Sequence, residues 1–318
     1  MAFHWLRRAL VLAACATPFL LVSCGGGGDV VSQFKPTRAI AFGDGFSDLG
    51  QRGTKYTVND GSTNVWTQEF AGRYGVSLTA AAAGGLSYAT GNARVNSKPD
   101  AAGDSTTPTV KEQIDTFLAA QSFNSNDLVI VSGGIGDVVA EVGRLNAGAQ
   151  TSAQMLANLR QAGRDLGAQV RRVVQAGGKF VAVTGTYNLG KSPWAAQTGQ
   201  ATLLENASSS FNEELLISIV DLGASVLYVD AALHYNLAVN VPTTYKLADS
   251  STIVCSSVDP GPGIGTGAGQ VNSALCTPAA VAPGVDYNAY LFADRIYPTP
   301  YGHRLFGDYA YERFKSRF

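Results

Sequence analysis

Short runs of apolar residues alternate along this chain with longer segments in which apolar residues recur every three or four positions. The short runs are rich in β-branched residues and lie at 37–43, 127–134, 179–186 and 225–230. Runs that are apolar on both faces are typical of parallel strands covered by helices. The longer segments predict amphipathic helices at 108–121, 155–174, 211–219 and 300–318, the last with Pro300 in its first turn.

Strands that alternate with helices predict a three-layer α/β/α sandwich with a mainly parallel, flavodoxin-like sheet. In such sheets a functional site lies beyond the carboxyl ends of the strands. The loops of interest are therefore those that follow Phe42, Ser132, Thr184 and Asp230.

Composition narrows the class of protein further. The chain has 318 residues, of which 46% are hydrophobic, so it can bury a sizeable core. Its 23 basic residues are balanced by 24 acidic ones, and no block of Lys and Arg stands out. Nucleic acid is therefore not an expected partner.

The first two dozen residues have the features of an export signal. Arg7 and Arg8 precede an apolar stretch that is interrupted by Pro18 and is short for a membrane span. The sequence LVSC, which ends at Cys24, resembles a bacterial lipobox, and a Gly-rich tether follows it. The resemblance implies a signal peptide at 1–23, a lipidated Cys24 with a tether at 24–36, one domain at 37–318, and an outer-membrane location. An ordinary signal peptide that happens to contain Cys is the alternative.

The remaining cysteines fit an exported protein. Cys15 lies in the apolar stretch, while Cys255 and Cys276 flank a Gly-rich segment. In an oxidising compartment Cys255 and Cys276 are expected to form a disulfide that closes this loop. A metal site on two cysteines without a nearby His is a weaker interpretation, and no metal is predicted.

Four sequence blocks carry a family resemblance. They are FGDGFSDLG, GLSYATGNARV, VSGGIGDVV and LFADRIYPTPYGH, which begin at 42, 85, 131 and 291. In that order they resemble the four blocks of the GDSL, or SGNH, hydrolases, over about residue 37 to the end. The resemblance implies an α/β/α fold and ester hydrolysis by a serine that a histidine and a carboxylate activate.

The residues at the family's functional positions depart from this chemistry. Gly45 stands at the nucleophile position, Gly136 at the position of an oxyanion-binding Asn, and Tyr297 at the position of the His. By resemblance, Gly91 keeps the amide that helps to bind the oxyanion, and Asp294 keeps the acid. A phenol with an ordinary pKa of about 10 is a poor general base near neutrality. The two glycines are expected to leave a wider, less polar cleft floor.

Other residues offer a replacement only weakly. Ser47 is the alternative nucleophile, but we expect its hydroxyl to bond its own turn. His303 is expected at the surface or as a cap, and His234 in a helix or loop rather than at the site rim. Asp48 and Asp137 are expected to orient the block loops rather than to bind a metal.

The sequence therefore predicts a catalytically degenerate, lipid-anchored member of this esterase family. Such a protein would keep the cleft and bind an acyl-ester or glycan ligand, without a cofactor. Two alternatives stay open: an active carboxyl-ester hydrolase that uses Ser47, and a structural envelope lipoprotein in which the cleft has no role.

Overall fold

The computed structural model describes residues 34–62 and 65–318. The strands are β1 Arg38–Phe42, β2 Asp127–Ser132, β3 Phe180–Thr184, β4 Val226–Tyr228, β5 Asp249–Ile253, β6 Val258–Asp259, β7 Gln270–Val271 and β8 Tyr290–Phe292. The α-helices are α1 Trp66–Arg73, α2 Val110–Ala120, α3 Ile135–Asn146, α4 Ser152–Gln175, α5 Pro193–Thr198, α6 Ala201–Ile219, α7 Ala231–Asn240 and α8 Pro300–Arg317.

The helices begin where the sequence supplies capping residues. Thr109 and Thr151 form capping boxes with Glu112 and Gln154 at the starts of α2 and α4. These side chains satisfy backbone amides that have no partner inside the helix. The Thr299 hydroxyl accepts from the amide of residue 302, which places Pro300 in the first turn of α8 as the sequence predicts.

The predicted strands form one parallel sheet. Its order is β1-β2-β3-β4, and each neighbouring pair is parallel. An extended segment bonds to the free side of β1, where the Ala41 amide donates to Leu86 and the Tyr88 amide donates to Ala41. The segment at 86–88 therefore joins one side of β1, and β2, which comes later in the chain, joins the other side. This reversal places a topological switch point at the carboxyl ends of β1 and β2.

Alternate residues of the sheet enter two separate cores. Ile40 and Phe42 of β1 pack with α2, α4 and α6 on one face, whereas Ala39 and Ala41 pack with α1, α7 and α8 on the other. Because successive side chains of a strand point to opposite faces, both faces must be apolar, as they are. The α/β/α sandwich expected from the sequence is the observed fold.

A loop-rich region follows the last strand of this sheet. β5 pairs with β8, and β6 pairs with β7 in a short antiparallel hairpin. Cys255 and Cys276 form the expected disulfide around that hairpin, and the Cα atoms of the pair lie 5.9 Å apart.

Three expectations fall at the amino terminus. The signal peptide at 1–23, the lipidated Cys24 and most of the tether at 24–36 lie outside the described residues. Of the helices within 34–62 and 65–318, none combines the length and the apolar character that crossing a bilayer requires.

Candidate active site

The loop that follows β1 is held in place from two directions. Gln113 of α2 exchanges hydrogen bonds with both the amide and the carbonyl of Gly43, each 2.8 Å long. The Asp44 carboxylate accepts from the amides of Phe46 and Ile135, each at 3.1 Å. Burial raises the pKa of Asp44 to about 6. Asp44 therefore ties this loop to the start of α3, at the switch point of the sheet.

Gly45 is covered by the phenol ring of Tyr297. A Cβ atom built on Gly45 would lie 2.6 Å from the Tyr297 hydroxyl oxygen and 2.8 Å from Cζ. Tyr297 is only 1% exposed, so its ring is part of the core rather than a rim residue. The expectation of a wider cleft floor is wrong at this position, because the larger Tyr side chain fills the space that glycine leaves.

A second tyrosine covers Gly91. A Cβ atom on Gly91 would overlap the hydroxyl and ring of Tyr56, which lies 4.9 Å from the Tyr297 ring between centroids. The Gly91 amide donates to the Asp48 carboxylate at 2.7 Å. That carboxylate also accepts from the amides of residues 50 and 51. Asp48 thus orients two block loops, and the amide that the resemblance assigns to oxyanion binding already has an acceptor.

Gly136 is packed against backbone. It lies in the first turn of α3, where a Cβ atom would overlap the carbonyl oxygen of Ala93. The neighbouring Asp137 accepts from the Val95 amide at 2.9 Å and from Arg94 at 3.3 Å. The loop at 91–95 therefore lies directly on the start of α3. The space that an Asn side chain would need is occupied here too, contrary to the expected wider floor.

Asp294 organises the turn that carries Tyr297. Its carboxylate accepts from the amides of Ile296 at 2.8 Å, Tyr297 at 2.7 Å and Ser273 at 2.9 Å. Complete burial raises the pKa of this carboxyl. The carboxylate of Asp294 is thus held by backbone amides of the Tyr297 turn and of the disulfide loop.

Ser47 is fully buried and already bonded. Its hydroxyl lies 2.7 Å from the Ser132 hydroxyl and accepts from the Trp66 indole nitrogen at 3.0 Å. The expectation that this hydroxyl bonds its own turn is wrong, because its partners come from β2 and α1. A serine in this setting has neither a histidine partner nor access to solvent.

Neither of the two histidines that the structure describes forms a hydrogen bond with the Ser47 hydroxyl. His303 is completely buried, with Nδ1 3.4 Å from the Trp66 amide, so the expectation of a surface or capping histidine is wrong. Burial lowers the pKa of His303 to about 3. His234 lies in α7 as expected, among aromatic rings that include Tyr245 and Tyr309, and burial lowers its pKa to about 4. Trp66 contacts both residues, since its indole nitrogen donates to Ser47 and its backbone amide donates to His303.

The loop that the disulfide closes covers the candidate active site. The sequence patterns did not predict this contact. The Gly-rich tip of the loop brings the Gly263 carbonyl within 3.0 Å of the Asn92 side-chain amide, and Ile264 is buried beside it. Asn92 adopts a left-handed backbone with φ of 61°, which Asn tolerates better than most residues. Within the described residues, no cluster of three His, Cys, Asp or Glu side chains suits a metal ion.

Comparison with known proteins identifies the family. Residues 40–310 match the family described as GDSL-like Lipase/Acylhydrolase, so the chain belongs to that family. A relative described as "Uncharacterized protein in trpE-trpG intergenic region" of Pseudomonas putida is 28% identical over 188 residues. That match covers 58% of this chain but only 28% of the relative, so the chain spans well under half of the relative's length.

Solved structures with a similar chain path are more distant in sequence. One is a member of the lipolytic protein G-D-S-L family from Veillonella parvula, with 14% identity and a TM-score of 0.43 over 86% of this chain and 96% of that chain. Another has 14% identity and a TM-score of 0.48 over 89% of this chain and 98% of that chain.

Proposed function

We propose that this chain is a GDSL-family member with little or no ester hydrolysis. The observation that carries the proposal is the Tyr297 ring, whose hydroxyl lies 2.6 Å from the first side-chain atom that residue 45 would have. In the reaction that the resemblance implies, a side-chain alcohol must reach the acyl carbon to attack it. Here bare backbone and a buried phenol stand at the position that the resemblance assigns to the nucleophile.

The surrounding electrostatics support the same proposal. Burial, together with the nearby Asp44 carboxylate, raises the pKa of the Tyr297 phenol well above its ordinary value. A general base works best when its pKa lies near the operating pH. Loss of a triad member leaves only about 10³- to 10⁴-fold acceleration over water, and an engaged oxyanion donor costs about 10²- to 10³-fold more.

Hydrolysis by Ser47 receives less support. Its hydroxyl is inaccessible, and both of its hydrogen-bond partners, Ser132 and Trp66, are structural. An acyl-ester or glycan ligand at the Gly45 position would have to displace Tyr56 and Tyr297. The filled position therefore favours a ligand bound outside the tyrosine pair, or a structural envelope role.

The proposed cellular setting rests on the sequence. We propose that the chain is exported, cleaved before Cys24, lipidated there and held at the outer membrane. Growth with radiolabelled palmitate tests this, because the wild-type chain should take up label at Cys24 and the Cys24→Ser chain should not. A wild-type chain without label, or equal label in both chains, would argue against the anchor.

The central test is an ester assay on the full chain. We expect p-nitrophenyl butyrate to turn over no faster with wild type than with the Ser47→Ala variant, and a fluorophosphonate probe to leave the chain unlabelled. Thermal shift with methyl octanoate or N-acetylglucosamine then reports ligand binding. Turnover that Ser47→Ala abolishes, or a fluorophosphonate adduct on Ser47, would overturn the proposal.

A reconstruction provides the matched positive test. The Gly45→Ser, Tyr297→His double variant places an alcohol and an imidazole next to Asp294, while Gly45→Ser with Tyr297→Leu supplies the alcohol without a base and without the obstructing ring. We expect ester turnover to rise above wild type in the His variant alone. A folded His variant that matches the Leu variant would show that these positions are not the family's catalytic ones.

A further inference from the structure

One end of the sheet carries an exposed apolar patch. Its members Leu216, Ile217 and Val220 lie at the end of α6, and the side chains of Ile217 and Val220 are 66% and 80% exposed. They border an apolar depression of about 470 Å³ whose lining includes Val226 and Tyr228 of β4. Exposed aliphatic clusters of this kind are typical of interaction surfaces.

The apolar patch lies at the same end of the sheet as Phe34, the first residue of the segment that the structure describes. Phe34 packs on Phe180, the first residue of β3, at 4.2 Å between ring centroids. Phe318 packs on the same ring at 5.3 Å, and its neighbour Arg317 donates to the Gly223 carbonyl at 2.8 Å beside the patch. All of these groups lie at the amino-terminal end of the strands, opposite the candidate active site.

The same end carries basic side chains that have no described acidic partner. They are Lys35, Lys179, Arg313, Lys315 and Arg317, none of which forms an ion pair within the described residues. Of the acids near this end, Asp221 is paired with Arg171 and Asp127 with Arg38, whereas Glu213 of α6 forms no ion pair within the described residues. Because the whole chain has a formal charge of −1, this excess of positive charge is local.

We propose that this basic, apolar end docks on an anionic phospholipid surface, with Ile217 and Val220 inserted at the headgroup level. The proposal rests on the lipidated Cys24 proposed above. Cys24 lies ten residues before Phe34, so a lipid anchor holds this end within about 35 Å of the bilayer. Basic residues contribute attraction to anionic lipid, and aliphatic side chains contribute burial.

Hydrogen exchange with vesicles, on the cleaved-length chain that begins at residue 24 and carries Cys24→Ser, tests the docking surface without the lipid anchor and without the apolar signal segment. With vesicles of three parts phosphatidylcholine to one part phosphatidylglycerol, we expect amides at 214–228 to gain protection. Amides at 291–299, beside the candidate active site, should not change. Protection confined to residues before 34, or no protection, would overturn the proposal while leaving the ester assay and the anchor test unaffected.

Matched variants identify the side chains responsible. Ile217→Asp with Val220→Asp should lower the vesicle partition coefficient at least tenfold, whereas Val258→Asp with Leu275→Asp, at comparably exposed positions of the disulfide loop, should leave it unchanged. Lys179→Ala should lower it about fivefold, from about 1 kcal/mol per basic residue. Equal partition of both Asp pairs would refute the proposal. A wild-type dimer that Ile217→Asp dissociates would instead make the patch a subunit interface and refute it too.

Discussion

Gly45 and Tyr297 are close enough to be coupled energetically, and a double-mutant cycle measures that coupling. A Cβ atom at position 45 would lie 2.6 Å from the Tyr297 hydroxyl oxygen and 2.8 Å from the ring atom Cζ. Overpacking of a buried site costs about 1–3 kcal/mol. The Gly45 backbone lies outside the left-handed region, so the cost of Gly45→Ala comes from the ring and not from φ.

The cycle compares Gly45→Ala, Tyr297→Leu and the double variant. Leu is too short to reach the space that the new methyl group would occupy. Gly45→Ala should therefore cost about 1–3 kcal/mol in wild type and almost nothing in the Tyr297→Leu background. Gly133→Ala is the matched control, since its nearest neighbour lies 3.5 Å away in ordinary contact. The control should change the free energy of unfolding by less than about 1 kcal/mol.

Urea unfolding of the full chain, followed by tryptophan fluorescence, gives the four free energies. A coupling energy of about 1–3 kcal/mol is expected. If Gly45→Ala is tolerated as well as Gly133→Ala, the Tyr297 ring does not cover Gly45, and the argument for a filled nucleophile position fails with it.

Further predictions concern the packing around the site and the buried histidines. Gly136→Asn should cost at least about 2 kcal/mol in urea unfolding, because the obstructing Ala93 oxygen belongs to backbone. His234 has a folded pKa of about 4, below its unfolded value of about 6.5, so wild type should lose up to about 3 kcal/mol relative to His234→Phe as pH falls from 7 to 4. Cys255→Ser opens a loop with a sequence separation of 21 and should cost about 3 kcal/mol in calorimetry. If Gly136→Asn or Cys255→Ser is as stable as wild type, the packing of Gly136 or the disulfide is not as described. If wild type and His234→Phe respond equally to pH, His234 is not buried in its neutral form.

The spacing of apolar residues was sufficient to predict the parallel sheet and several of the helices that cover it. The apolar runs that end at Phe42, Ser132 and Thr184 became parallel strands because each is buried on both faces. The segment beside β1 was not predictable in this way, since Leu86–Tyr88 contains no apolar run and joins the sheet through two backbone hydrogen bonds. Its pairing depends on the tertiary contact with Ala41.

The sequence shows which residues stand at the positions that the resemblance assigns to catalysis, but not how those residues pack. The sequence identifies glycine at positions 45 and 136 and Tyr at 297, yet it gives no direction for the ring. Side-chain direction depends on the turn that Asp294 fixes through the amides of Ile296 and Tyr297. Similarly, nothing near Tyr56 in the sequence indicates contact with Gly91, which lies on a different loop.

Gly45 and Tyr297, which stand at two positions that the resemblance assigns to catalysis, are physically linked. With Tyr297 in its observed position, any side chain at residue 45 overlaps the phenol, so Tyr at 297 requires Gly at 45. The loop at 91–95 similarly requires Gly at 136, because the Ala93 carbonyl occupies the space of a side chain there. A side chain added at residue 45 or 136 alone therefore strains the fold, and a smaller side chain at 297 alone leaves a void. The reconstruction proposed above is accordingly expected to need changes at 45 and 297 together.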